Sequence, residues 1–346
     1  MMVTMQDIAD RLNISRNTVS KVLNNRSGVS EKKRSAIIQT ALELGYPKVP
    51  SSLLHSHKEK DKKTKSIRIT LLVVNPQFSQ FWVKLINSIA KEIGKSENTL
   101  TYCYLSETQQ ESLPATLNKN TVDAIIGVNI YNTQLLKKIA GLGIPTVYFD
   151  MPVKMNCRNL SADIILLEGR NSIYSITEHL IKQGCKSIGF IGDITYAHTM
   201  YERYQGFITA LKEYRIAPIQ NWIFTRGLTN RFYNPGEIAA TIDPFDKEPD
   251  AIVCANDAIA VQVISYFNQK GMRCPDDILI SGYDNFYHFP NHEHFLTTVE
   301  VNIDYLGKRL VEQVYHRAQN PGLPLEMTTL ITTPLFKKST EKTSRK

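Results

Sequence analysis

The sequence predicts an all-α helix-turn-helix head joined to a two-lobed, doubly wound α/β core. Three observations carry this. Amphipathic helical patterns run from the start of the chain to Gly45. A hydrophilic stretch without periodicity, residues 46–66, follows them. From Ile67 onward β-rich runs alternate with amphipathic stretches, the pattern of parallel sheets covered by helices. Charge changes at the same boundary. Residues 1–66 hold 13 Lys and Arg against 6 Asp and Glu, residues 67–336 hold 23 against 26, and residues 337–346 hold 5 against 1. A basic head on a near-neutral body points to a polyanionic partner.

In the head, Thr4 can N-cap a first helix, with Asp7 as its capping-box partner and Ile8, Ala9 and Leu12 as the apolar stripe. Asn13 and Ile14 make a short turn. Ser15 can cap a second helix whose inner face is Val19, Val22 and Leu23. After the polar loop NNRSG, Ser30 can cap a third helix that turns Ile37, Ile38, Ala41, Leu42 and Leu44 inward, and Gly45 ends it. Pro47 and Pro50 then break helix. The run KEKDKKTK (58–65) reads as a solvated linker, and SSLLHSH (51–57) holds one short candidate helix.

Strand candidates in the core are 67–74, 100–105, 123–128, 145–150, 187–192, 222–225, 251–255 and 277–282. Helical stretches fall at 79–94, 109–119, 132–141, 168–184, 201–214, 235–242 and 256–270. These are more units than one doubly wound sheet of usual size holds, so two lobes are expected. The 346 residues contain no apolar run near the ~18 that a membrane helix needs. The N-terminus lacks the apolar core of a signal peptide. Five scattered cysteines with no CxxC argue against a disulfide framework or zinc ribbon and fit a reduced cytoplasm.

Residues 4–24 have helix-turn-helix spacing. Arg16 and Asn17 open the second helix, where a recognition helix enters the major groove. Arg pairs bidentately with guanine and Asn with adenine. Lys21 lies about one turn further on. Ser15, Thr18 and Ser20 are small enough to let the helix sink in, and its first amides can hold a phosphate. The alternative is a polar helical hairpin that binds protein; the basic charge of the head weighs against it.

MQDIADRLNISRNTVSKVLNN, then VSEKKR and LGYP, resemble the head of the lactose-repressor/galactose-repressor (LacI/GalR) family of bacterial transcription factors. EHLIKQGCKSIGFIGD, YERYQGFITAL, AIVCANDAIA, CPDDILISGYDN and LTTVEVNIDYLGKRL resemble its body, in family order. The resemblance covers residues 3–335. It implies a DNA-binding head (1–48), a hinge (49–66), an effector-binding and dimerisation core (67–336) and a basic tail (337–346). The core would resemble the type I periplasmic sugar-binding proteins, with three crossings between lobes. Lobe 1 would hold 67–162 and 296–320, and lobe 2 would hold 163–293 and 326–333. The resemblance further implies a homodimer on a palindromic double-stranded operator, a sugar or sugar derivative as effector, a repressor without catalysis, and a cytoplasmic, nucleoid-associated location.

Carried over residue by residue, the DNA contacts are Thr4, Ser15, Arg16, Asn17, Thr18, Ser20, Lys21, Asn24 and Ser30. Lys21 stands where the family usually has Arg, which favours a phosphate role. The hinge departs from the family pattern. Leu53 or Leu54 could wedge the minor groove with Ser51 as N-cap, or the segment is only a tether. In the cleft the resemblance assigns effector contacts to Arg203, Asp284, Asn256, Asp150 and Asn129. One aromatic of NPQFSQFW (Phe78, Phe81 or Trp82) would stack on a sugar face, and Phe78 is the one assigned to the site. The alternatives are a helix-surface ion pair for Arg203 and a turn aspartate for Asp284. Asp257 reads as the N-cap of the following helix. Val301 stands where sugar-binding relatives often carry a polar residue.

Other signals fail. IAKEIGKS lacks the first glycine of a phosphate loop, since Ile89 stands there. No GxSxG occurs, and GLG (141–143) reads as a helix end. His288, His292 and His294 sit in a Pro-containing loop without helical spacing, so a cleft-rim loop is expected there rather than a metal site. No cofactor motif is present. An exported sugar receptor would need a signal peptide in place of the basic head. An enzyme fused to a DNA-binding head would need a catalytic constellation, and none is found.

Overall fold

The computed structural model describes residues 3–24, 26–47, 49, 66–74, 80–105, 113–226, 235–243, 247–285 and 295–342. The chain divides into two units, 1–66 and 67–346.

The first unit holds α1 (Met5–Leu12), α2 (Arg16–Leu23) and α3 (Glu31–Glu43). Ile8, Ala9, Val19, Val22, Leu23, Ile37, Ile38 and Ala41 form its buried core. The Thr4–Asp7 capping box is formed, and Asn13 closes α1 in the left-handed region at φ 52°. Leu42, expected inside, is 47% exposed.

In chain order the core continues with β1 (Arg68–Val74), α4 (Gln80–Ile93), β2 (Thr99–Leu105), β3 (Ala124–Val128), α5 (Thr133–Gly141), β4 (Thr146–Phe149) and β5 (Asp163–Leu167). Then come α6 (Arg170–Lys182), β6 (Ile188–Ile191), α7 (His198–Glu213), β7 (Ile223–Phe224), α8 (Pro235–Ile242), β8 (Ala251–Cys254), α9 (Asp257–Gln269) and β9 (Leu279–Ser281). The last elements are β10 (Thr298–Glu300), α10 (Ile303–Gln319), β11 (Met327–Leu330) and β12 (Thr333–Leu335).

Two parallel sheets result. Lobe 1 has the order β11-β5-β4-β3-β1-β2, and lobe 2 has β7-β6-β8-β9. Their central strands are buried on both faces, which is why they read as unbroken apolar runs. β10 and β12 pair antiparallel in a small ribbon of their own.

Three sequence expectations need correction. The helix expected over 109–119 is not formed where it is described. Residues 113–119 make turns, because Pro114 has no amide hydrogen and the Asn118 side chain bonds the Ala115 carbonyl and the Asn120 amide.

The expected lobe boundary also moves. β5 and β11 both belong to lobe 1, in register Met327↔Ile164 through Leu330↔Leu167. β5 also pairs with β4, and a buried ionic cluster stands at its start. Asp163 accepts from Arg317 Nε at 2.9 Å and Nη2 at 2.7 Å, from Gln313 Nε2 at 2.8 Å and from the Glu326 amide at 2.9 Å. These bonds bind the strand to α10 and to the approach to β11. They also hold the Asp163 carboxyl below its ordinary range, against the opposing effect of burial.

Nor does the chain end in a free basic tail over its described part. Lys338–Thr340 forms a 3-10 turn in which Ser339 and Thr340 are fully buried. Ser339 Oγ donates to the Ile280 carbonyl at 2.6 Å and accepts from the Thr297 amide at 2.8 Å, which docks the segment on the end of β9.

Candidate functional site

Two regions carry candidate chemistry. On α2, Arg16, Asn17 and Lys21 are exposed. Among the described residues no hydrogen bond or ion pair engages their heads, so they are free to meet a ligand. The other expected DNA contacts are largely engaged within the head. Ser15 Oγ accepts from the Thr18 amide at 3.2 Å and pairs with Thr18 Oγ1 at 2.9 Å. Asn24 Nδ2 donates to the Ser20 carbonyl at 2.9 Å and to its hydroxyl at 3.2 Å. The Thr4 amide and hydroxyl both donate to Asp7 Oδ2 at 2.7 Å, so the amino end of α1 holds its own anion and the Asp7 carboxyl lies below its usual range. Ser30 caps α3 by position, but its side chain makes no capping bond.

The second region is a cavity of about 440 Å³, counted out to open solvent, between the lobes of the core. It lies at the carboxyl ends of the strands, where doubly wound sheets leave a crevice. Lobe 2 supplies Arg203 from α7. Its guanidinium is 3.5 Å above the Tyr283 ring, and Nη1 donates to the Ala255 carbonyl at 2.6 Å. Gly169 allows this placement: a Cβ there would come within 2.8 Å of Arg203 Cγ. Arg203 is 5% exposed, which excludes a helix-surface ion pair. Its Nη2 lies 3.6 Å from Asp284 Oδ1, and its Nε has no partner among the described residues. Burial pushes the Asp284 carboxyl up to about 6, opposed only by Arg203.

Asp150 borders the cavity from the end of β4, but its lone pairs are taken. It accepts from Tyr131 Oη at 3.1 Å, Thr199 Oγ1 at 2.5 Å, the Thr199 amide at 3.3 Å and the Met151 amide at 2.8 Å. Burial raises its pKa, and these donors oppose the rise. Asn256 also borders the cavity, yet its Oδ1 caps α9 through the Ile259 amide at 2.9 Å. The cap of α9 is therefore Asn256 and not Asp257, which is the first helical residue and accepts from Thr298 Oγ1 at 2.6 Å. Asn129 does not border the cavity; its Nδ2 donates to the Val74 carbonyl at 2.7 Å. Asn129, Asp150 and Asp284 all have positive φ, of 58°, 65° and 112°. Such strain gathers at functional sites, and Asn and Asp bear it better than other residues with a Cβ.

The lobe 1 wall is aromatic. Phe81 and Trp82 both border the cavity, with Trp82 edge-on to Phe149 at 5.7 Å. Tyr131 meets Tyr196 of lobe 2 edge-on at 4.9 Å. Sequence reasoning missed Tyr131, Phe149, Tyr196 and Thr199. Tyr131 and Tyr196 lie a few residues beyond the ends of β3 and β6, and that position is a usable signal. Val301 is buried and does not border this cavity. Ser51, Leu53, Leu54, Phe78, His288, His292 and His294 lie outside the described residues. Among the described residues no cluster of three metal-ligating side chains occurs, and no helix is long and apolar enough to cross a membrane.

Comparison with known proteins agrees with this geometry. The family model for bacterial regulatory proteins of the lacI family matches residues 4–48, and that for a periplasmic binding protein-like domain matches residues 177–340. The chain is 27% identical over 323 residues to the HTH-type transcriptional repressor PurR of Glaesserella parasuis serovar 5, covering 92% of this chain and 91% of that one. It is 27% identical over 344 residues to the NTD biosynthesis operon regulator NtdR of Bacillus subtilis, covering 98% and 100%. Among solved structures, the cellobiose complex of the transcriptional regulator CelR superposes with a TM-score of 0.67 at 19% identity, covering 97% of this chain and 99% of that one. The lac repressor dimer bound to operator and the anti-inducer ONPF gives 0.64 at 19% identity, covering 98% and 99%. At such identities the structures show the fold.

Proposed function

The chain belongs to the lacI family of bacterial regulatory proteins, and from that footing we propose an operator-binding repressor controlled by a sugar or sugar derivative held between the lobes of its core. Its relatives are transcriptional regulators, not enzymes. The observation that carries the effector reading is the unfinished Arg203–Asp284 pair. A buried donor left unbonded costs about 1–3 kcal/mol. A ligand hydroxyl that accepts from Arg203 and donates to Asp284 removes that cost. The aromatic wall of lobe 1 suits the C–H face of a sugar ring. The same wall favours a second reading, a planar heteroaromatic ligand.

In the head, Arg16 and Asn17 read base edges while Lys21 and Ser30 hold phosphates. Leu53 or Leu54 belongs to the hinge (49–66), which the effector orders or releases. The protein acts in the cytoplasm as a homodimer on a palindromic site, two-fold on two-fold. Coupling between the two sites is expected at about 1–3 kcal/mol. Operator selection from randomised DNA, followed by a melting screen of the full chain against sugars and nucleobases, tests the reading. A chain that retards no DNA fragment under any solute overturns it.

A further inference from the structure

We infer that the cleft takes a ligand without an anionic group and rejects its phosphorylated or carboxylated counterpart, because Asp150 already sits at the amino terminus of α7 and carboxylates outnumber cations among the described residues that border the cavity. The inference rests on the cleft reading above and names its ligand class.

The amino end of a long helix is a ready site for an anion, since its first amides lack partners and the helix dipole favours negative charge. α7 has 16 residues and begins at the cavity, with no side-chain cap of its own. Its first two amides and the Thr199 hydroxyl are already engaged by lobe 1. The Thr199 amide and hydroxyl donate to Asp150 at 3.3 and 2.5 Å, and the His198 amide donates to the Met151 carbonyl at 2.8 Å. Asp150 thus fills the place a phosphate would take. At the start of α9, Asn256 caps the Ile259 amide, the Asp257 amide donates to the Tyr283 carbonyl at 2.8 Å, and the Asp257 carboxylate stands in the first turn.

The charges bordering the cavity point the same way. Among the described residues they are Asp150, Asp284 and Arg203. An incoming phosphate or carboxylate would meet two carboxylates and one guanidinium that already faces one of them. Hydroxyl groups meet no such repulsion, and they can both accept from Arg203 and donate to Asp284.

The test uses the full chain as wild type, Asp150→Ala and Asp150→Asn. Asp150→Ala opens the terminus of α7, and Asp150→Asn removes the charge while keeping the shape. Inorganic phosphate is titrated against chloride at matched ionic strength, with the melting temperature and the Thr199 amide resonance as readouts. The wild type should show no saturable change at Thr199, and a variant should bind phosphate at least tenfold more tightly. Saturable phosphate binding at Thr199 of the wild type, or two variants that respond no better than wild type, overturns the inference. In a second arm, ribose is compared with ribose 5-phosphate, and glucose with glucose 6-phosphate and gluconate. An anionic member that binds more tightly than its neutral counterpart overturns it too. Either result, in a protein that still retards its operator, leaves the repressor reading standing and removes the ligand class alone.

Discussion

Arg203 and Asp284 face each other across 3.6 Å, too far for a hydrogen bond, with Arg203 Nε unpaired in a nearly closed site. Both side chains come from lobe 2, so the gap does not depend on how far the lobes close. On the proposed reading, polar atoms of the effector complete this pair. Arg203→Ala should weaken effector binding by 2–5 kcal/mol, or at least about thirtyfold. Ligand-free operator affinity should stay within about twofold. Titration calorimetry and gel retardation read the two effects separately, and unchanged ligand affinity would remove Arg203 from the site.

Asp284 gives a pH signature. Its carboxyl titrates near 6 in the folded chain against 3.8 ordinarily, so the folded state holds the extra proton between those values. Its contribution to stability is therefore greatest at low pH and falls as pH rises from about 4 to about 6. Asp284→Asn removes this slope. The stability difference between variant and wild type should move in the variant's favour by about 2 kcal/mol across that window. Urea unfolding at pH 4.5 and 7 measures it, and parallel curves would contradict the assignment.

Tyr148 is 2% exposed in the lobe 1 core, and its hydroxyl has no partner among the described residues. Burial drives its phenol well above the ordinary range. Its ring lies against Gly127, where a Cβ would come within 2.4 Å of Cδ1, so no side chain fits at Gly127 while the ring stays in place. Tyr148→Phe keeps the ring and deletes the stranded oxygen. It should raise stability by about 1 kcal/mol; a lower melting temperature would show that the hydroxyl is bonded in solution.

Arg317 and Asp163 are 4% and 1% exposed at 2.7 Å. Removing one partner of a buried pair leaves an uncompensated charge. Arg317→Ala should cost about 3–5 kcal/mol, and replacing both partners with apolar residues should cost much less. A double-mutant cycle on chemical unfolding checks this, and additive losses would mean that the pair is not coupled.

On DNA, Arg16→Ala or Asn17→Ala should relax base choice at one position of each half-site, at about 1–3 kcal/mol. Lys21→Ala should instead weaken all sequences alike and reduce the salt slope by about 1. Binding to randomised operators at several salt concentrations separates these outcomes. A Lys21→Ala variant with altered base preference would make Lys21 a reader of bases.

Local information settled much of this protein. Helix caps, turn residues and the spacing of apolar side chains act within a few residues of each other, so the three head helices, the Thr4–Asp7 box and the alternation of strands and helices were readable along the chain. Asp150 and Asp284 were legible as cleft residues through strand-end position and family pattern, and Arg203 and Asn256 through family pattern alone. Their division of labour was not. Which of them keeps an open valence depends on groups far away in sequence. Thr199 and Tyr131 saturate Asp150, the Ile259 amide engages Asn256, and nothing completes Arg203. The lobe boundary shows the same limit. Nothing in the composition of β5 and β11 says which lobe they join; their ladders with β4 and with each other, and the burial of Asp163 against Arg317, 154 residues away, place them in the first sheet. Hydrophobic period and capping are short-range and survive in a linear reading, whereas hydrogen-bond saturation and charge pairing are decided by neighbours that only the folded chain brings together.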